Sequence, residues 1–303
     1  MRVLRRLILF LLAGSVAWTL ASTAALKKWS SGPPPPARRL DGTERRVITS
    51  DGADLRVVEL GHGPLVVLAH GINGRLDHWS PIAERIAEAG YRVVTYDQRG
   101  HHGSTMGSDP FSPHVLGRDL LAVIASCETT AAVVVGHSMG GIGIQGALAQ
   151  GLTDVAAKLV IVSSVERPVA SVKVSPRGAA AAINLASHPK QGQMMMRGGF
   201  GKSVHTDDLE ELQTSFAAMD PEAFAAALTG LASFDFSEEL RACEADIRVI
   251  CGTRDLVTPI VRSRRIAELA PNAQLIELQD VGHMTIWEAT DAIVETVLAT
   301  AIP

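Results

Sequence analysis

The sequence predicts an α/β protein: a mostly parallel sheet covered by helices, with a helical insertion ahead of the last two strands. Three observations predict it. From residue 46 onward, short apolar runs alternate with helix-like stretches. The run Ala131-Ala132-Val133-Val134-Val135 leads straight into Gly136-His137-Ser138-Met139-Gly140, a serine between glycines at a strand-to-helix turn. Between residues 165 and 244 the alternation stops, and about 80 residues carry no strand signal.

The elements follow in order. Residues 7–26 hold no charge and follow Arg2, Arg5 and Arg6, a length that spans a hydrocarbon core as a helix. Residues 1–28 are therefore expected to be an uncleaved N-terminal membrane anchor. The alternative is a cleaved signal peptide, with Ser22 and Ala24 as the small pair before the cut. The signal-like shape places the domain outside the cytoplasm, although Lys27, Lys28 and the arginines that follow pull the other way. Residues 29–45, with Pro33-Pro34-Pro35-Pro36, read as a stiff polyproline-II linker. The domain proper is expected over 46–303.

Within it, strands are predicted at 56–60, 65–69, 91–96, 131–135, 159–163, 247–251 and 274–278, each a β-branched or apolar run bounded by turn residues. Helices are predicted at 80–89, where Pro81 opens and Gly90 closes, and at 115–126. Others follow the pentapeptide at 140–150 and fall at 261–269 and 286–298. The insertion contains Met194-Met195-Met196 and an alanine-rich helix over 221–231. It is expected to be a helical cap.

Composition excludes several classes. Hydrophobic residues are 47% of the 303, enough for a sizeable core. Residues 1–46 carry nine basic and two acidic residues, so a chain of net charge −4 has a body of −11. An acidic body argues against nucleic acid as a partner. Cys127, Cys243 and Cys251 make no disulfide framework, and no pair has metal-ligand spacing. No metal or organic cofactor is expected.

The pentapeptide carries the chemistry. A serine on a sharp bend, with a helix N-terminus behind it, exposes its hydroxyl for attack. Serine at its ordinary pKa is a weak nucleophile, so Ser138 needs a base and the base needs an orienting acid. His283, in Asp280-Val281-Gly282-His283-Met284, follows the last strand and is the candidate base. Asp255, in Gly252-Thr253-Arg254-Asp255, follows the strand before it and is the candidate acid, although it also suits a cap for the next helix. Asp235 and Glu166 are the alternative acids. All three main candidates fall at carboxyl ends of strands, where an open parallel sheet places its site. A tetrahedral oxyanion then needs backbone donors. The N–H of Met139 and that of Ile72, in His70-Gly71-Ile72-Asn73-Gly74, are the candidates.

The set His70-Gly71, Asp97-x-Arg99-Gly100-His101, Gly136-His137-Ser138-Met139-Gly140-Gly141, Gly252-x-x-Asp255 and Gly282-His283 resembles the α/β-hydrolase superfamily over residues 46–300. The resemblance implies a mostly parallel eight-stranded sheet, a cap after the sixth strand and a serine-hydrolase triad, with the Asp97–Arg99 segment bracing the site from below. One departure is His102, where the family often has glycine, with Gly103 one place later; it reads as a solvated loop histidine, the alternative being a place at the mouth of the pocket. Serine at 138 speaks against the epoxide hydrolases and haloalkane dehalogenases, similar proteins that use aspartate there. The resemblance leaves esterases, lipases, thioesterases, peptidases, C–C hydrolases and cofactor-free haloperoxidase-like perhydrolases; acyl transfer on the same triad and a silent binding protein on the same fold are the alternatives. Met194, Met195, Met196, Phe216, Phe224, Phe234 and Phe236 are expected either to form a soft acyl pocket or to pack the cap on the sheet. A small-molecule ester or a lipid is the expected substrate, the anchor bringing the site near lipid esters.

Overall fold

The computed structural model describes residues 38–171 and 173–301. The chain enters the sheet through the antiparallel hairpin β1 (Thr43–Ile48) and β2 (Asp54–Leu60). β3 (Leu65–Ala69), α1 (Ser80–Glu88) and β4 (Arg92–Tyr96) follow. Next come α2 (Pro113–Ala125), β5 (Ala131–His137), α3 (Met139–Leu148), the short α4 (Leu152–Val155) and β6 (Ala156–Val162). Among its described residues the insertion holds five helices: α5 (Pro176–Ser187), α6 (Pro189–Arg197), α7 (Thr206–Ala217), α8 (Pro221–Gly230) and α9 (Ser237–Ala242). β7 (Asp246–Gly252), α10 (Ile260–Leu269), β8 (Ala273–Leu278), α11 (Thr285–Glu288) and α12 (Thr290–Ala301) complete the fold.

The eight strands pair in the order β1-β2-β4-β3-β5-β6-β7-β8. Only β2 runs against its neighbours; every pairing from β4 to β8 is parallel. Side chains of a strand alternate between faces, so each apolar run feeds two cores. In β3, Val66 and Leu68 pack on the α1 and α12 side with Ile82 and Val297. Leu65, Val67 and Ala69 pack on the other, with Leu120 and Ile144. This two-sided burial explains why the central strands are uninterrupted Val, Ile and Leu.

Two expectations need correction. The sheet begins at Thr43, so residues 43–45 belong to β1 and not to the linker. This edge strand reads Thr-Glu-Arg-Arg-Val-Ile, and its charges, which hide it from a search for apolar runs, suit an edge that must not pair further. The final helix is also two. It breaks at Ala289, whose φ of −139° is outside the helical range. The predicted anchor at 1–28 lies outside the described residues, as does the linker up to residue 37. Among the described residues no helix is long and apolar enough to cross a membrane.

Candidate active site

β5 ends at His137 and α3 begins at Met139, leaving Ser138 alone to make the turn. Its φ of 52° and ψ of −113° are strained for a residue with a side chain. Surrounding contacts hold it there: Ser138 N–H donates to the Val162 carbonyl (2.9 Å), and Ser164 Oγ donates to the Ser138 carbonyl (2.8 Å). Gly140 is required for a packing reason, since a Cβ there would stand 2.1 Å from the Ala69 carbonyl oxygen.

The structure brings the three sequence candidates together. Ser138 Oγ lies 3.1 Å from His283 Nε2, and His283 Nδ1 lies 2.9 Å from Asp255 Oδ2. Ser138 and His283 are each 8% exposed and Asp255 4%, so the chain of bonds is shielded from solvent. Asp255 also closes a local turn, accepting from the N–H groups of Val257 (2.9 Å) and Thr258 (2.8 Å); it does not cap the next helix, which begins at Ile260 behind Pro259. Burial pushes its carboxyl up. The charge and hydrogen bond of His283 and the two donors of Thr258 outweigh that and hold it below its ordinary value. The alternative acids are elsewhere: Glu166 is buried against Arg262 (3.0 Å), and Asp235 caps the N–H of Ser237 (2.9 Å).

The predicted oxyanion donors flank the serine. Met139 opens α3, where a helix leaves its N–H without an intrahelical partner. Ile72 occupies a tight turn closed by Gly74 N–H donating to the Gly71 carbonyl (3.0 Å). A Cβ on Gly71 would stand 3.1 Å from Ser138 Cβ, so this turn lies directly against the serine. Ile72 and Met139 also share one apolar cluster with Phe111, Leu116 and Ala227.

Sequence reasoning missed three supports. Thr258 Oγ1 donates to Asp255 Oδ2 (2.7 Å) and lies 3.1 Å from His283 Nδ1. His137 Nε2 bonds the His283 carbonyl at 2.8 Å. Glu288 accepts from the N–H of Gly282 (2.9 Å) on the His283 loop and from that of Gly201 (2.7 Å) in the insertion. Thr258 lies only three residues past Asp255, so this support is local in the chain, but no motif marks its hydroxyl as a partner of the carboxylate. The other two span long separations and leave no local signal.

The bracing expected of the Asp97–Arg99 segment is present. Asp97 accepts from the N–H of Leu76 (2.8 Å) and of Gly103 (3.1 Å), tying the loops after β3 and β4. Fully buried Arg99 bonds Asp119 (2.5 Å) and Asp51 (2.8 Å). The Met and Phe residues, expected either to form an acyl pocket or to pack the cap on the sheet, fall into separate groups. Met196, Phe216 and Phe224 pack in the main core, Phe234 and Phe236 join a separate cluster with Ile142 and Val165, and Met195 is 42% exposed. The three cysteines are buried free thiols. Among the described residues no cluster of His, Cys, Asp and Glu is arranged to hold a metal.

Residues 66–296 match the family model described as the alpha/beta hydrolase family. The chain is 28% identical over 257 residues to a non-heme chloroperoxidase of Streptomyces lividans, covering 78% of this chain and 92% of that one. It is 26% identical over 256 residues to a bifunctional esterase/perhydrolase of Acinetobacter calcoaceticus, with the same 78% and 92% coverage. In three dimensions it is similar to an esterase from Exiguobacterium antarcticum, with a TM-score of 0.75 and 19% identity over 86% of this chain and 99% of that one. That identity supports a common fold and no more.

Proposed function

This chain belongs to the alpha/beta hydrolase family, and on that premise we propose that it cleaves carboxylic esters through a covalent acyl-enzyme. The observation that carries the reading is the continuous chain from Ser138 Oγ through the His283 imidazole to Asp255. His283 Nε2 takes the hydroxyl proton as Ser138 Oγ attacks the ester carbonyl. The N–H groups of Ile72 and Met139 receive the negative oxygen, and donors so placed typically contribute ~3–4 kcal/mol each. Asp255 steadies the imidazolium. His283 then returns the proton to the departing alcohol, and water, activated by the same imidazole, releases the acid. The apolar cluster of Phe111, Leu116, Met139 and Ala227 beside the oxyanion turn suits the acyl chain.

A second reading is favoured by the names of the relatives, a chloroperoxidase and an esterase/perhydrolase. On the same three residues hydrogen peroxide would replace water in the second step and release a peracid. The uncharged stretch at 7–26 supports tethering of this domain to a membrane on the extracytoplasmic side, with lipid esters as candidate substrates. The test is hydrolysis of p-nitrophenyl esters from acetate to palmitate by the full chain and by Ser138→Ala. We expect turnover that falls at least ~10⁴-fold in the variant with the fold intact. Undiminished activity in Ser138→Ala would sink the reading, and competition of peroxide with water for the acyl-enzyme would select the perhydrolase.

A further inference from the structure

Helix α7 of the insertion carries a polar stripe on the side facing the rest of the protein. Asp208, Glu211 and Ser215 are spaced three and four residues apart and so share one face. Each has a partner outside the insertion. Asp208 pairs with Arg38, whose guanidinium lies 3.8 Å over the Trp287 ring. Glu211 bonds Arg75 (2.7 Å) and sits 3.3 Å from His78 Nε2. Ser215, 1% exposed, has its Oγ 2.6 Å from the Asn73 carbonyl and 3.1 Å from His102 Nε2. A carbonyl only accepts, so the Ser215 hydroxyl donates to Asn73, and its lone pair takes the proton on His102 Nε2.

Asn73 is the third residue of the Gly71–Gly74 turn and sits at φ 60°. That left-handed position is where such a turn needs a positive φ, and a residue with a side chain occupies it only when neighbours hold it there. Asparagine often helps itself through its side-chain oxygen. Here Asn73 Oδ1 is buried and takes no hydrogen bond among the described residues. The Gly74 N–H and His70 Nδ1 both hold the Gly71 carbonyl at the start of the turn, and the bond from Ser215 holds the Asn73 carbonyl itself. Ile72 precedes Asn73 in the same four-residue turn, which lies against Ser138, so loosening Asn73 loosens the turn that carries the Ile72 N–H.

We infer that Ser215 is a positioning residue for the oxyanion turn, holding Asn73 and through it the Ile72 donor, with His102 orienting its hydroxyl and α7 docked by Arg38, Arg75 and His78. The inference rests on the serine-hydrolase reading. It makes the insertion part of the oxyanion machinery, not only a cover. His102 keeps the exposure expected of a loop histidine, yet its Nε2 is committed to Ser215.

The test uses the full chain with p-nitrophenyl acetate as substrate and phenylboronic acid as a mimic of the tetrahedral intermediate. Losing an oxyanion donor outright costs ~10²–10³ in kcat, so a loosened one is expected to cost about tenfold. For Ser215→Ala we expect kcat about tenfold lower with KM within about twofold, a matching loss of boronic acid affinity, and recovery of both in Ser215→Thr. His102→Asn tolerates the positive φ of 42° but is too short to span to Ser215. It should lower kcat in the same direction by about threefold, and it carries the test if Ser215→Ala does not fold. Unchanged kcat in both variants, or a loss confined to KM, overturns the inference. A fluorophosphonate that labels wild type but not Ser138→Ala keeps the two readings apart. Without labelling the hydrolase reading falls and takes the inference with it; with labelling, an insensitive kcat overturns the inference alone.

Discussion

The Nε2–H of His137 donates to the backbone carbonyl of His283 at 2.8 Å, so the residue beside Ser138 holds the loop that presents the imidazole. Burial, reinforced by the nearby His283, pushes His137 down to about 3, so it works as a neutral donor. The strained bend and the His283 loop are thus joined by one bond across the site. His137→Ala should lower kcat/KM by about tenfold or more and cost about 1–3 kcal/mol of stability through the unpaired buried carbonyl. Steady-state kinetics alongside chemical denaturation checks both; full activity would mean that the His283 loop needs no such anchor.

Thr258 should matter through Asp255. Removing its hydroxyl in Thr258→Val takes a 2.7 Å donor from the carboxylate. Because the Asp255 carboxyl is held below its ordinary value, its stabilising effect is present above the unfolded value and lost as pH falls through the folded one. The wild type should therefore exceed Thr258→Val by about 1 kcal/mol at pH 7, and the gap should close in acid below about pH 4. Urea denaturation at a series of pH values measures this, and a gap independent of pH would remove Thr258 from the charge network. Thr258→Ser should restore the wild-type curve.

Two glycines should respond in opposite ways. Alanine at Gly71 would bring a Cβ to 3.0 Å from His137 Nδ1 and 3.1 Å from Ser138 Cβ, pushing the oxyanion turn off the serine. Gly71→Ala should lower kcat by ~10²-fold. At Gly143, within α3, the nearest atom to a new Cβ is Leu116 Cβ at an ordinary 3.4 Å. Gly143→Ala should therefore stabilise by about 0.5–1 kcal/mol and leave turnover unchanged. Melting curves and ester kinetics on the pair decide it; a fully active Gly71→Ala would mean the turn contributes no donor.

Glu288 should make stability fall as pH rises. Burial pushes its carboxyl up to about 7, against the opposing pull of the Gly201 and Gly282 N–H donors and of Arg197, with Asp255 adding to the rise. In the unfolded chain it ionises near 4.5. Between those values the native state binds more protons, so stability drops with pH, by at most ~1.4 kcal/mol per unit, and levels off above about 7. Glu288→Gln should lack this slope. A wild type and variant that track each other from pH 5 to 8 would refute the assignment.

Much of the site is legible in the sequence because it is local. The glycine-flanked serine follows a β-branched run, and Asp255 and His283 each follow a predicted strand within a few residues. A parallel sheet brings its strand ends to one edge, so order along the chain was enough to unite them. The strand β1 was harder to read because an edge is buried on too little of its surface to need an apolar run. The break at Ala289 is hidden too, since residues 286–298 hold no glycine or proline to mark it.

What the sequence determined by itself was the α/β alternation, the inserted helices and the three residues of the nucleophile chain, all set by patterns a few residues long. The contacts that hold those residues come from the tertiary fold. His137 reaches the His283 loop, Glu288 joins Gly282 to Gly201, and Ser215 reaches Asn73 across 142 positions of chain. Short-range periodicity follows from the geometry of single elements. A hydrogen bond between distant segments depends on how whole layers dock, and a single chain carries no periodic trace of it.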